Sequence, residues 1–211
     1  MTRQLSLPPL YAVLDPEQTR GRSSQDALRD MLRAGIKILQ LRVKTMTPRE
    51  FLELAQPVRE LTRAHDCRFI VNDRVDVALA CDADGVHLGQ EDLPLHAARK
   101  LLPDGIIGIS THDAAQAREA ANGGADYIGF GPMFGTTTKA TGYSPRGAAM
   151  LREIRGAVAI PIVAIGGINE GNVSEIWAAG ADSAAIISDI LGAEGIPGKI
   201  KAILKVYEQQ L

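Results

Sequence analysis

One short run, Gln40-Leu41-Arg42-Val43-Lys44, sets an amide and two cations at alternating positions. In an extended strand that spacing puts Gln40, Arg42 and Lys44 on one face and Leu41 and Val43 on the other. Cations facing an interior are costly unless anions meet them. One reading is a clamp for a diphosphate, with Arg42 as a planar fork and Lys44 as a point charge. The alternative is a pair of internal salt bridges to carboxylates. Two carboxylates follow at comparable places, Asp73 after Asn72 and Asp92 after Gly89-Gln90-Glu91. Opposite a phosphate-bearing ligand such a pair suits Mg²⁺, which takes a few carboxylate oxygens and completes its shell with water and phosphate oxygens. The alternative for each is to cap the next helix.

Further along, Ser110-Thr111-His112-Asp113 offers a hydroxyl and an imidazole, although Asp113 also reads as an N-cap. His87 reads as a satisfied interior histidine. The stretch Gly129–Gly147, GFGPMFGTTTKATGYSPRG, carries Thr136, Thr137, Thr138 and Lys139 on a Gly-rich loop. It is either a solvated connection or a cradle for a phosphorylated ligand. Gly166-Gly167 and Ile187-Ser188 have the makings of a second phosphate site, with backbone N–H groups and one hydroxyl. Two anion sites emerge. Arg42, Lys44, Asp73 and Asp92, with Lys139 near, form a metal-assisted one; Gly167, Ile187 and Ser188 form a metal-free one. A reaction joining a diphosphate ester to a monophosphate would use both.

These residues need a scaffold. Apolar runs at Leu10–Leu14, Ile38–Val43, Phe69–Val71, Gly85–Leu88, Ile106–Ile109, Tyr127–Phe130, Ile162–Ile165 and Ala184–Ile187 predict eight strands. Helical spacing marks Asp26–Arg33, Arg49–Ala64, Ala114–Ala121, Ala148–Arg155, Asn172–Ala179 and Ile200–Tyr207, with Asp113 and Asn172 at N-cap positions. The segments after Asp73 and Asp92 are short. A weak repeat places a glycine, Gly35, Gly124 or Gly180, between a helix and the next strand. Eight βα units in 211 residues predict an α/β protein, a compact (β/α)₈ TIM barrel forming a single domain over residues 1–211. A doubly wound open sheet is the runner-up, but the first strand ends Leu14-Asp15-Pro16 without a glycine fingerprint. In a barrel the strands' C-terminal ends hold the chemistry, which is where the residues above fall.

Composition narrows the classes. Net charge is −2 and aromatics are 4%, which supports neither a nucleic-acid surface nor base stacking. No apolar run reaches spanning length, and MTRQLSLPPL has no signal-peptide core. Cys67 and Cys81 form no C-x-x-C, and His65 beside Cys67 lacks a second metal-binding pair. The expectation is two buried thiols in a reduced, cytoplasmic protein.

The motifs QLRVK, VNDRVDVAL, DGVHLGQEDLP, GISTHD, ADYIGFGPMFGTTTK, PIVAIGGI and IISDI, in this order, resemble the thiamine-phosphate synthase family from about Tyr11 to Leu191. The resemblance implies a TIM barrel that joins a 4-amino-2-methylpyrimidinylmethyl diphosphate to hydroxyethylthiazole phosphate, with Mg²⁺. It implies Gln40, Arg42, Lys44, Asn72, Ser110 and Lys139 around the pyrimidine diphosphate and Asp73 and Asp92 on the metal. Thr136, Thr138, Gly167, Ile187 and Ser188, with Thr137 between the two threonines, would take the thiazole phosphate. Arg42, Lys44, Lys139 and Ser110 would act on the departing diphosphate, with no side-chain nucleophile. Thiazole tautomerase-like relatives lack the metal carboxylates and carry a His where this chain has Pro132. An inert thiazole-phosphate-binding barrel would have little need of the first anion site, and another phosphosugar barrel enzyme would leave it unexplained. Partners are then small molecules, with a homo-oligomer left open by the exposed helices of a barrel. Tyr143 and Arg146 match no motif and have no role in this reading.

Overall fold

The computed structural model describes residues 5–135 and 142–210. Eight parallel strands close a barrel in chain order: β1 Leu10–Leu14, β2 Ile38–Leu41, β3 Arg68–Asn72, β4 Gly85–Leu88, β5 Ile106–Thr111, β6 Tyr127–Phe130, β7 Ile162–Ile165 and β8 Ser183–Ile186. The TIM barrel expectation is met. An open sheet is excluded, because β1 pairs with β2 on one edge and β8 on the other. The strands are nearly continuous apolar runs because helices cover one face and a packed interior the other.

Boundaries moved by a residue or two. β2 stops at Leu41, where the Arg42 N–H still bonds Leu14 O at 2.9 Å and the chain then turns away, leaving Val43 outside. β3 gains Arg68 and Asn72, and β8 runs Ser183–Ile186 because Ile187 is already the N-cap of the next helix.

The covering helices are α1 Ser24–Arg33, α2 Pro48–Ala64, α3 Val75–Ala80, α4 Leu95–Leu101, α5 Ala114–Asn122, α6 Gly147–Ala157, α7 Val173–Ala178, α8 Ser188–Leu191 and α9 Ile196–Glu208. Their inner faces follow the 3.6-residue period, as with Phe51, Ala55, Val58 and Thr62 of α2. Helix α2 starts on a Thr47–Glu50 capping box with Pro48 at its first position. Asp113 caps α5 by accepting the Gln116 N–H at 2.8 Å. Asn172 stands at the N-cap of α7, but its side chain instead accepts the Asn169 N–H and closes the preceding turn. Asp73 and Asp92 cap nothing; α3 and α4 start after Arg74 and Pro94, without side-chain caps. Gly35, Gly124 and Gly180 take the positive φ expected where helix gives way to strand.

One staple recurs three times at the N-terminal end of the barrel. Asp84, Asp126 and Asp182 immediately precede β4, β6 and β8. Each carboxylate accepts a backbone N–H from the strand before, Phe69 at 2.7 Å, Ile107 at 2.8 Å and Ile162 at 2.8 Å. Each also binds an arginine from α2, α4 or α6: Arg59 at 2.8 Å, Arg99 at 2.6 Å and Arg155 at 2.9 Å. The same aspartates donate their own N–H to the carbonyl of the same strand residue, so the junction is closed both ways.

Inside the barrel, Tyr11, Val13, Ile38, Ile70, Tyr127, Val163 and Ala185 form a core of their own. Two glycines make room for it. A Cβ on Gly108 would stand 2.1 Å from the Tyr127 ring, and one on Gly129 would stand 2.8 Å from His87. Cys67 and Cys81 are free thiols buried outside the barrel, as expected, and burial pushes Cys67 up to about 12. No helix among the described residues is long and apolar enough to cross a membrane.

Candidate active site

A pocket opens at the C-terminal ends of the strands. Gln40, Arg42, Asn72 and Ser110 line one side, and Gly166, Gly167, Ile187 and Ser188 line the other. Seven sequence-predicted site residues thus share one cavity: Gln40, Arg42, Asn72, Ser110, Gly167, Ile187 and Ser188. Thr136, Thr137, Thr138 and Lys139 lie outside the described residues.

Both cations that follow β2 have carboxylate partners. Arg42, 13% exposed, bonds Asp15, whose side chain is 2% exposed and which also accepts the Glu17 N–H at 3.0 Å. Lys44 bonds Asp73. The salt-bridge alternative is therefore realised. It does not displace the anion reading, because both pairs sit at the mouth and an arginine with one carboxylate keeps donors to spare. Asp73 holds φ +62°, a left-handed conformation rare outside glycine that marks a constrained position.

Asp92 joins this pair. Its Oδ2 accepts the Gly89 N–H at 2.6 Å. Burial raises the Asp92 carboxyl above the ordinary range; the Gly89 N–H pulls it down, while the Asp73 hydrogen bond and charge push it up. Two carboxyls in contact beside one lysine are the residues a metal would use. Among the described residues no group of three or more His, Cys, Asp or Glu side chains gathers to hold an ion. Two carboxylates fit Mg²⁺, whose remaining ligands come from water and phosphate.

One atom on this side lacks a partner. Asn72 is 6% exposed, and its Nδ2 has no hydrogen-bond partner among the described residues. A buried amide donor left unmade is costly, by about 1–3 kcal/mol. At the wall of a pocket it is a donor held ready for a ligand's acceptor.

The floor is a continuous hydrogen-bonded chain. Gln40 Nε2 donates to Tyr11 Oη at 3.1 Å, and Tyr11 Oη meets Tyr127 Oη at 2.8 Å. His87 joins Tyr127 Oη through Nδ1 at 3.0 Å and Ser110 Oγ through Nε2 at 2.9 Å. Burial raises both phenols well above their usual range, so they stay protonated at neutral pH. His87 is the satisfied interior histidine expected. Tyr11 and Tyr127 were not foreseen. Alternation with Val13 and Gly129 was the available signal, since it turns both rings inward.

The opposite side is built from backbone. Gly166 and Gly167 have φ +101° and +66°. A Cβ on Gly166 would meet Pro132 at 2.8 Å, and one on Gly167 would meet Gly135 O at 2.5 Å. Close packing of the loop after β6 thus demands these glycines as much as any ligand does. That loop is tied down by Met133 N–H to Ile165 O and Phe134 N–H to Gly166 O, both 2.9 Å. Helix α8 begins at Ser188, and Arg22 holds its far end through Leu191 O and Ala193 O. His112 lines the pocket with its Nδ1 at 2.7 Å from Gly131 O.

A family model described as thiamine monophosphate synthase matches residues 10–190. The chain belongs to that family. A thiamine-phosphate synthase from Chloroflexus aurantiacus is 43% identical over 204 residues, covering 95% of this chain and 94% of the relative. One from Methanospirillum hungatei is 49% identical over 183 residues, covering 86% and 89%. The solved thiamine phosphate pyrophosphorylase from Pyrococcus furiosus superposes with a TM-score of 0.88 at 40% identity, covering 96% of both chains. Members of the thiamine monophosphate synthase family are transferases of thiamine biosynthesis. Against that background Asp15, Tyr11 and Tyr127 are additions to the predicted site, one as a counter-ion and two as floor.

Proposed function

We propose that the chain is a thiamine-phosphate synthase that uses Mg²⁺ to transfer the 4-amino-2-methylpyrimidinylmethyl group from its diphosphate to hydroxyethylthiazole phosphate. The observation that carries this reading is the unpartnered Nδ2 of Asn72, buried at the pocket wall that also presents Arg42. It supplies a donor that a ligand acceptor in the pocket would satisfy. In the step itself the exocyclic C–O bond breaks and its electron pair leaves with diphosphate. The aminopyrimidine delocalises the positive charge on the carbon, and the thiazole nitrogen lone pair forms the new C–N bond. The products are thiamine phosphate and diphosphate.

Arg42 and Lys44 face the charge that builds on the departing diphosphate, and their carboxylate partners keep them oriented before substrate arrives. Asp73 and Asp92 would hold Mg²⁺, which supplies further neutralisation of that charge. Ser110, fixed by His87, has its hydroxyl aimed along the floor. Gly167, Ile187 and Ser188, with the threonines Thr136, Thr137 and Thr138, would receive the thiazole phosphate, and Lys139 would complete the first site. The Ser110–His87 pair does not make a nucleophile: His87 Nδ1 meets a phenol where a triad needs a carboxylate. Substrates and product are phosphorylated small molecules, consistent with a cytoplasmic enzyme.

The test is direct. Purified protein, both substrates and Mg²⁺ should give equal amounts of thiamine phosphate and diphosphate, with turnover abolished by EDTA. Asp92→Asn should lower kcat by about 10²-fold or more, the scale of removing one transition-state charge contact. Thiazole phosphate that binds without any product forming would sink the reading.

A further inference from the structure

Tyr143 belongs to no part of the site described so far, yet its environment is specific. Its ring stacks on His112, with centroids 4.0 Å apart and planes 24° from parallel. Arg146 Cζ stands 4.9 Å from the same ring. Tyr143 remains 42% exposed, so core packing does not account for it. Its segment is tied back to the pocket wall by Arg146 N–H to Pro132 O at 2.8 Å and Gly147 N–H to Met133 O at 3.1 Å. His112 itself lines the pocket on the side of Gly131 and Pro132.

We propose that Tyr143 is a positioning residue for the acceptor: stacked on His112, it fixes the imidazole that walls the thiazole side of the pocket. This rests on the synthase reading and deepens it. The His112 ring has a hydrogen bond from Nδ1 to Gly131 O, which sets one edge. A face-on aromatic neighbour opposes tilting of the ring about that edge. The Arg146 guanidinium, attracted to the Tyr143 ring, holds the tyrosine in turn. The pyrimidine-diphosphate side has independent supports, Asp15 for Arg42 and Tyr11 for Gln40, so it does not depend on this stack.

The consequence is a split between substrates. Tyr143→Ala should raise KM for thiazole phosphate about three- to tenfold, the equilibrium value of one aromatic stack. KM for the pyrimidine diphosphate and kcat should change by less than about twofold, the effect being confined to acceptor binding. Tyr143→Phe keeps the ring and should restore the wild-type KM. The thermal midpoint should stay within a few degrees, as for a half-exposed side chain. Equal rises in both KM values, a fall in kcat alone, no change at all, or failure of Tyr143→Phe to restore KM would each overturn the proposal. If the wild-type protein forms no thiamine phosphate, the synthase reading fails. The proposal is then judged on titration of thiazole phosphate into wild type and Tyr143→Ala, where equal affinity overturns it.

Discussion

The two ends of the barrel use the same chemistry for opposite purposes. At the N-terminal end Asp84, Asp126 and Asp182 each bind an arginine and a strand N–H, three times over. At the mouth Arg42–Asp15 and Lys44–Asp73 are again ion pairs, but neither bonds a strand N–H, and neither is repeated. Beside them Asn72 Nδ2 has no partner among the described residues and Asp92 crowds Asp73. Ion pairing alone therefore does not separate structure from function. What separates them is the backbone: each lower staple also closes on a strand N–H, although Arg59 Nε is left without a partner among the described residues, whereas the upper pairs stand beside the unpartnered Asn72 amide and a second carboxylate.

Breaking each end should give different signatures. The largest effect belongs to Arg42→Ala. It strands Asp15 at 2% exposure without its cation, and should cost about 3–5 kcal/mol. Adding Asp15→Asn should return much of that stability in urea titrations while kcat stays low. Recovery of activity along with stability would show Arg42 to be structural. Asp126→Ala is the counterpart at the closed end. Arg99 keeps the carbonyls of Leu102, Gly105 and Gly124, so the main loss is the partner of the Ile107 N–H. That should cost about 1.5–3 kcal/mol, the price range of a buried donor deprived of a charged acceptor. Turnover per folded molecule should be unchanged, and a selective loss of kcat would erase the contrast.

The same contrast governs what could be read from the sequence. β1 was legible to the residue because both faces of Leu10–Leu14 are buried and the run is purely apolar. Gln40, Arg42, Asn72 and Ser110 were legible because polar residues at strand ends have few other reasons to be there. Asp15 was not, because its partner is 27 positions away and no local pattern links them. Tyr11 and Tyr127 were hidden inside apolar runs. Asp126 and Asp182 lie two residues after the repeated glycines Gly124 and Gly180, yet their role needs an arginine from the helix 27 positions earlier, which only the closed barrel reveals. From the sequence, the Gly166-Gly167 backbone can approach a phosphate; in the structure these glycines also make room for the loop after β6, a demand no local pattern announces.

The smallest effect lies between the two ends. Tyr127→Phe deletes the hydroxyl that meets Tyr11 at 2.8 Å and His87 at 3.0 Å, and should cost about 1–2 kcal/mol at pH 7. Tyr11→Phe combined with Tyr127→Phe should cost less than the sum, because the bond between the two hydroxyls is then counted once. The sign of the pH dependence follows from burial. Both phenols titrate higher in the folded than in the unfolded chain. Above about pH 10 the unfolded chain loses these protons and the folded one keeps them. Each buried phenol then withdraws about 1.4 kcal/mol of stability per pH unit from the wild type. The deficit of Tyr127→Phe should therefore be full below pH 10 and close to nothing near pH 11. Denaturant titrations at pH 7, 9, 10 and 11 would measure it. A deficit that stays constant through pH 11 would mean that the Tyr127 hydroxyl is less enclosed in solution than this interior makes it.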